Sequence, residues 1–69
     1  MVKISESDVK KLPSIVRAHV AAKALGLRIP SIYEWIRNDG CPSIKNASGE
    51  RLLDRHEFIS WLKRTRRIK

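Results

Sequence analysis

The clearest pattern in the chain is a run of apolar residues with helical spacing between Ile29 and Asn38. Apolar residues recur there every three to four positions, which places their side chains on one face of an α-helix. Pro30 is compatible with the first turn of such a helix, where its missing N–H costs little, and Gly40 is a typical end. The predicted buried face consists of Ile29, Ile32, Trp35 and Ile36. The predicted outer face consists of Pro30, Tyr33, Glu34 and Arg37.

A shorter helical pattern precedes this segment, from about Arg17 to Leu25. Its predicted buried face consists of Val20, Ala21, Ala24 and Leu25. The side chains of His19 and Lys23 fall on the opposite side of this helix. Gly26 can adopt the positive φ that ends a helix and turns the chain. Two helices joined by this tight turn predict a helix-turn-helix.

The segments on either side of the two helices are shorter and less regular. Residues 1–15 are mostly polar, and Pro13 limits any helix there to at most one turn, so we expect an N-terminal arm. The segments Pro42–Lys45 and Glu50–Leu53 have strand character, and the residues between them are turn formers. Together they predict a two-stranded hairpin, or wing.

A last helix is predicted to start at Asp54, whose side chain can accept hydrogen bonds from the first free backbone N–H groups, with Glu57 three residues on. The predicted buried stripe of this helix consists of Phe58, Trp61 and Leu62, with Ile59 or Thr65 as a further member. The whole pattern predicts an α+β, mainly α, winged helix-turn-helix with about three helices and a two-stranded hairpin. The predicted organisation is an arm at residues 1–15, the domain at 16–63 and a basic tail at 64–69.

Charge narrows the class of partner. The chain has 15 Lys and Arg residues against 7 Asp and Glu residues, a formal net charge of +8 on 69 residues. So large an excess attracts polyanions, either nucleic acid or an anionic membrane surface. No apolar run approaches the roughly 20 residues that span a bilayer, and the N-terminus lacks the apolar core of a signal peptide. We therefore expect a cytoplasmic protein that binds nucleic acid rather than a membrane.

Few residues in the sequence suit catalysis or metal binding. Cys41 is the single cysteine, so no internal disulfide can form, and neither His19 nor His56 has a second ligand nearby in sequence. The sequence has no evident pairing of acid and base and no Gly-rich phosphate loop. We expect no catalytic residue, no metal, no cofactor and no small-molecule substrate. We expect Trp35 and Trp61 in the core rather than stacked on bases.

Three short segments carry a family resemblance: Ala21–Leu27, Ser31–Arg37 and the Gly-Cys-Pro at 40–42. They resemble the winged helix-turn-helix of phage excisionases and of the related MerR-type regulators, AlpA-like prophage regulators and small terminase subunits. The resemblance covers about residues 16–63 and continues into an Asp-x-x-Glu-Phe-x-x-Trp-Leu segment. One departure is Arg28, which stands where these relatives usually have Ser or Thr as a helix cap. The resemblance implies sequence-specific binding to double-stranded DNA.

Within this group the same fold serves recombination, transcription and DNA packaging. We expect an excisionase, which binds and bends attachment-site DNA and steers an integrase of the tyrosine type, with neighbouring copies on the DNA. A MerR-type regulator normally adds a dimerising helix and an effector domain, and a terminase subunit adds length for assembly. A prophage transcription regulator, a packaging adaptor and an RNA-binding module remain as alternatives.

In this interpretation the helix predicted at 29–38 enters the major groove. Arg37 would contact guanine N7 and O6, and Glu34 would accept from a cytosine amino group or only orient Arg37. Ser31 or Tyr33 would hold a phosphate, and Arg28 would contact the backbone or a base at the start of the helix. Pro30 is a further expected DNA contact on this helix. The expected contacts of the wing in the minor groove are Lys45, Asn46, Ser48 and Arg51. The expected DNA contacts near the C-terminus are Lys63, Arg64, Arg66 and Arg67. This basic run is interpreted as a phosphate clamp or as an interaction tail that contacts a neighbouring copy or the recombinase, and a solvated run of charge without function is the remaining alternative.

Overall fold

Four helices and one small antiparallel sheet make up the computed structural model, which describes residues 4–68. Val2 of the predicted arm and Lys69 of the predicted tail lie outside the described residues. About half of the chain is helical, which confirms the α+β, mainly α class. The elements in chain order are α1 (Glu6–Lys10), β1 (Ile15–Arg17), α2 (Ala18–Ala24), α3 (Ile29–Asn38), β2 (Ile44–Lys45), β3 (Arg51–Asp54) and α4 (Arg55–Arg64).

The sheet has three strands in the order β1-β3-β2, so the predicted two-stranded hairpin is extended by one strand. β1 pairs with β3 with Val16 opposite Leu53, and both of these side chains are buried. The hairpin itself pairs Lys45 of β2 with Arg51 of β3. β1 was not predicted because it is only three residues long and its partner strand lies far along the chain. Such a strand has too few alternating positions to be distinguished by sequence pattern.

The N-terminal segment, expected as an arm, is part of the core. Ile4, Val9 and Leu12 are all buried, and α1 packs against α4. α1 is five residues long and ends before Pro13, so the segment contains little more than the one helical turn that was expected. The buried apolar residues of this segment are spaced to pack on α4 rather than to extend into solvent.

α2 has a different buried face from the predicted one. The buried residues are Ala18, Ala21 and Ala22, whereas Ala24 is exposed and Val20 is 41% exposed. Alanines lie on several sides of this helix, so the apolar pattern does not select one face. The pairing of β1 with β3 sets how the helix starts and therefore which alanines face the core. The small side chains allow α2 and α3 to pack closely.

The bounds of α3 agree with the prediction, and Gly26 and Gly40 at its two flanks adopt positive φ angles of 71° and 76°. Ile32 is fully buried, while Trp35 and Ile36 are half-buried against the core. The prediction that Ile29 is buried is wrong, because this residue is 36% exposed. It lies in the first turn of the helix, beyond the edge of the core.

α4 begins as its sequence predicts. The Asp54 carboxylate accepts hydrogen bonds from the backbone N–H groups of His56 and Glu57, at 2.9 and 3.2 Å. The predicted stripe of Phe58, Trp61 and Leu62 is buried. None of the four helices between residues 4 and 68 has both the length and the apolar character needed to cross a membrane.

The segment expected as a basic tail folds back onto the domain. Arg66 adopts a positive φ of 57°, and the backbone N–H groups of Arg66 and Arg67 donate to the carbonyls of Lys63 and Leu62. These are the two hydrogen bonds of a Schellman motif, which ends a helix and reverses the chain. The Arg67 carbonyl then accepts from the Ile4 N–H at 3.0 Å. Residues 66–68 are therefore part of the domain.

Candidate nucleic-acid interface

The outer face of α3 is accessible to solvent. Pro30, Glu34 and Arg37 are exposed, as predicted. Tyr33 was predicted on the same outer face, but it is half-buried and packs against the core. The Tyr33 side chain therefore lies against the core and does not project from the helix. The accessible edge of α3 therefore consists of Pro30, Glu34 and Arg37.

The N-terminal end of α3 carries two further predicted contacts, Arg28 and Ser31. Arg28 occupies the N-cap position, makes no side-chain cap hydrogen bond and is exposed. Its backbone carbonyl accepts from the Ser31 N–H at 3.0 Å. The absence of a Ser or Thr cap therefore does not shift the start of the helix. Arg28 therefore lies at the N-terminal end of α3, where the backbone N–H groups and the helix dipole also attract anions.

A cleft separates α3 from the β2–β3 hairpin. Because side chains alternate along a strand, Arg51 lies on the same face of the sheet as the buried Leu53 and points toward the α3 side. Arg37 of α3 and Arg51 of β3 both line this cleft. Among the residues that the structure describes, the lining contains two arginines and no carboxylate, which makes it electropositive. The lining residues are Tyr33, Ile36, Arg37, Cys41, Ser43 and Arg51.

The turn of the hairpin is held by Asn46. Its side-chain oxygen accepts from the Glu50 N–H at 2.8 Å, and its amide nitrogen donates to the Glu50 carboxylate at 3.2 Å. Asn46 was predicted to contact DNA, but both polar atoms of its side chain are engaged within the turn. Its role in the structure is to shape the hairpin. Lys45 and Ser48 are exposed on this hairpin and accessible to a ligand.

The predicted C-terminal cations do not form one cluster. The Lys63 ammonium lies 3.5 Å from the Glu6 carboxylate, in a second cleft between α1 and α4 that shares no lining residue with the first. Arg67 lies instead at the end of α3, over the rings of Trp35 and Trp61. Arg64 and Arg66 are exposed. Two of the four cations expected at this end, Lys63 and Arg67, therefore lie at different places in the protein.

Trp61 is buried in the core and Trp35 is half-buried against it, so both pack with the core as predicted. Their ring centres are 5.4 Å apart with a tilt of 50°, and Trp61 also stacks on Phe58 at 6.4 Å. The Trp61 indole N–H donates to the Asp39 carbonyl at 3.3 Å. These contacts leave neither ring presented as a stacking platform for bases.

Cys41 lies in the floor of the α3–hairpin cleft. It is 4% exposed, and burial raises the pKa of its thiol to about 12. The thiol is therefore neutral at physiological pH, which is unfavourable for a nucleophile. Among the described residues, no three His, Cys, Asp or Glu side chains are grouped as a metal site would require. His19 is half-buried and His56 is exposed.

Sequence reasoning missed the cleft residues Ile36, Cys41 and Ser43 as part of the interface, and it missed the position of Arg67. Ser43 and Arg51 belong to the two predicted strands of one hairpin. The alternation of side chains along these paired strands could have placed both residues on the same face of the sheet. No sequence signal indicates that Arg67 stacks on two tryptophans. Searches of protein-family models, curated proteins and solved structures found no match to this chain.

Proposed function

We propose that this protein binds double-stranded DNA sequence-specifically through α3 and the β2–β3 hairpin, and that it is not an enzyme. The observation that supports this most strongly is the α3–hairpin cleft, where Arg37 and Arg51 face a common space with no carboxylate in the lining. α3 has ten residues and is therefore about 15 Å long, and a helix of this kind fits the major groove of B-DNA. The net charge of +8 favours the same polyanionic partner.

The side chains on α3 and at its N-terminal end have different proposed roles. Arg37 reads guanine through N7 and O6 in the major groove, and Glu34 either accepts from a cytosine amino group or orients Arg37. Arg28 and Ser31 lie at the N-terminal end of α3 and hold a phosphate. Tyr33 supports the cleft floor and offers its phenol to the backbone.

The hairpin would lie along the adjacent minor groove. Lys45, Ser48 and Arg51 would contact sugar and phosphate there, and Arg51 is the side chain that we propose for a narrowed groove. Asn46 contributes by holding the turn in shape through Glu50. Reading both grooves gives one short site per protein chain.

The finer role that we propose is that of a cytoplasmic excisionase. It would bind and bend the DNA of an attachment site, beside neighbouring copies of itself, and bias a tyrosine-type integrase toward excision. The support for this role is the sequence resemblance of residues 16–63, together with an interface that occupies one face of the domain. A prophage transcription regulator or a packaging adaptor would use the same DNA-binding face.

The primary experiment is selection of duplexes from a random-sequence library by the purified protein, followed by affinity measurement on the enriched duplex. A shuffled duplex, a single strand and a duplex RNA of the same sequence are the controls. We expect enrichment of a short motif and at least about tenfold tighter binding to that duplex than to the shuffled one. Equal affinity for all duplexes would contradict sequence-specific recognition, and preference for the RNA would favour the RNA-binding alternative.

The excisionase role is tested separately by footprinting on the DNA that flanks the gene of this protein. Several adjacent protected sites beside an integrase attachment site, with altered mobility that indicates bending, support it. One protected site over a promoter would replace it with the regulator, while DNA binding itself would stand.

A further inference from the structure

Arg67 connects the C-terminal end of the chain to the end of α3. Its guanidinium carbon lies 5.5 Å from the ring centre of Trp35 and 4.8 Å from that of Trp61. Its Nη2 also lies 3.0 Å from the carboxylate of Asp39. The planar guanidinium thus stacks on aromatic faces and pairs with an acid at the same time, a combination that suits arginine better than lysine.

The partner, Asp39, is an unfavourable residue for its position. It is the C-cap of α3, where the partial negative charge of the helix dipole disfavours an acidic side chain. Arg67 offsets both the carboxylate and the dipole. A second connection is made at the same residue, because the Asp39 carbonyl accepts from the Trp61 indole N–H. The C-terminal end of α3 is therefore fixed to α4 through Asp39 from two directions.

The backbone of Arg67 is also held in place. Its N–H donates to the Leu62 carbonyl at 2.9 Å, and its carbonyl accepts from Ile4. Arg66 before it adopts the left-handed conformation, which a residue with a side chain rarely takes and which turns the chain back over the tryptophans. These backbone hydrogen bonds to the folded domain thus fix the position of the Arg67 side chain.

We propose that Arg67 is a positioning residue that fixes the orientation of α3 on the domain, and that it does not contact DNA phosphates. This proposal rests on the proposed function, because it assigns Arg67 a role in sequence recognition by α3. Its guanidinium donates to Asp39 and covers the two rings, and the side chain is only 27% exposed. Recognition of sequence depends on the angle of α3, whereas non-specific attraction to phosphates depends on exposed charge.

The first test needs no DNA. Arg67→Ala and Arg66→Ala each remove one positive charge from adjacent positions, and Arg66 is exposed. We expect Arg67→Ala to shift the tryptophan emission and raise its quenching by acrylamide, and Arg66→Ala to leave both unchanged. In a double-mutant cycle, Arg67→Ala and Asp39→Asn should show coupling of about two- to fivefold in the unfolding equilibrium constant. Unchanged emission together with no coupling would overturn the contact on which the proposal rests.

The second test compares affinity for the duplex that the wild-type protein enriches from a random library with affinity for its shuffled version. All measurements are made at a temperature where circular dichroism shows each variant folded. We expect Arg67→Ala to reduce the ratio of these affinities about fivefold, with the affinity for shuffled DNA and the salt dependence unchanged. Arg66→Ala should leave the ratio unchanged. Arg67→Lys keeps the charge but lacks the planar group, and it should not restore the ratio.

A second variant covers the case in which Arg67→Ala does not fold. Asp39→Asn makes the protein more positive, so a purely electrostatic effect would tighten binding to every duplex without changing the ratio. Positioning through Arg67 predicts instead that the ratio falls. The proposal is overturned if Arg67→Ala weakens both duplexes equally with a smaller salt dependence, and if Arg67→Lys restores wild-type binding. If the wild-type protein enriches no duplex, the proposed function fails, while the tryptophan measurements still decide whether Arg67 holds α3.

Discussion

Two clefts among residues 4–68 are lined by cations, and they differ in what the cations do. In the α1–α4 cleft, Glu6 lies between two lysines, Lys10 at 3.1 Å and Lys63 at 3.5 Å. The arginine of this cleft, Arg55, donates to the backbone carbonyls of Lys10 and Leu12. The charged side chains of the α1–α4 cleft therefore hold the N-terminal segment against α4.

The α3–hairpin cleft is also lined by cationic side chains, but the surroundings of these cations differ. Arg37 and Arg51 line it with no carboxylate among them, beside the exposed face of α3. Net charge by itself therefore does not locate a binding surface on this protein. What distinguishes the candidate interface is that its cations are left available, while those between α1 and α4 are engaged within the protein.

The largest expected effect on stability comes from the α1–α4 cleft. Arg55→Ala removes two hydrogen bonds from a charged donor and leaves the Leu12 carbonyl, which accepts at 2.6 Å, without that partner. We expect the free energy of unfolding to fall by about 2 kcal/mol. Arg51→Ala, the matched arginine of the other cleft, should change it by less than about 0.5 kcal/mol. Denaturant unfolding measures both, and equal losses would remove the distinction between the two clefts.

The next effect concerns recognition. Arg37→Ala should cost about 1–3 kcal/mol on the preferred duplex and relax the base preference at one position, because one bidentate base contact is lost. Lys11→Ala removes the same charge from an exposed position next to α1 and is the control. Library selection with each variant gives the result. A similar loss for both variants would show that Arg37 acts only as a charge.

A smaller effect separates the two clefts by their response to salt. Arg51→Ala should reduce the slope of log K against log salt by about 0.9, the value of one phosphate contact. Lys63→Ala should leave this slope unchanged, because the lysine pairs with Glu6 on the α1 side. Anisotropy titrations over a range of salt concentrations measure both. A larger change for Lys63→Ala than for Arg51→Ala would reverse the assignment of the clefts.

The smallest effect is a pH dependence confined to the α1–α4 cleft. The pKa of the Glu6 carboxyl is lowered from its ordinary value of 4.5, first by its hydrogen bond with Lys10. A lowered pKa in the folded state means that the stabilisation is present above the ordinary pKa and is lost as pH falls through the folded value. Glu6→Gln should remove this part of the acid sensitivity. Unfolding curves from pH 5 downward show it, and identical acid sensitivity in the variant would contradict the pairing.

The parts of the fold that were predicted correctly are those encoded by neighbouring residues. α3 follows from the apolar spacing around Ile32, and the start of α4 follows from the capping side chain of Asp54. The third strand could not be predicted in this way, because Val16 finds its partner Leu53 only in the folded protein. The buried face of α2 could not be predicted either, since alanines on several sides make the pattern ambiguous.

The same division applies to the candidate site. The exposure of Glu34 and Arg37 follows from the helical period, which a local pattern contains. The contacts of Lys63 with Glu6 and of Arg67 with the tryptophans do not follow from such a pattern, because a run of cations carries no information about which acids and rings lie beside it after folding. Asn46 is an intermediate case. Its position in the turn was predicted, but its hydrogen bonds with Glu50 depend on the geometry of the hairpin.

The most direct measurement is the affinity of the wild-type protein for its library-enriched duplex and for the shuffled duplex as salt is raised. If about six phosphates are neutralised, log K should fall with a slope near −5 on the enriched duplex, at about −0.9 per contact, and that duplex should bind more tightly at every salt concentration. A flat salt response, or no binding to either duplex at low ionic strength, would contradict DNA recognition by α3 and the hairpin.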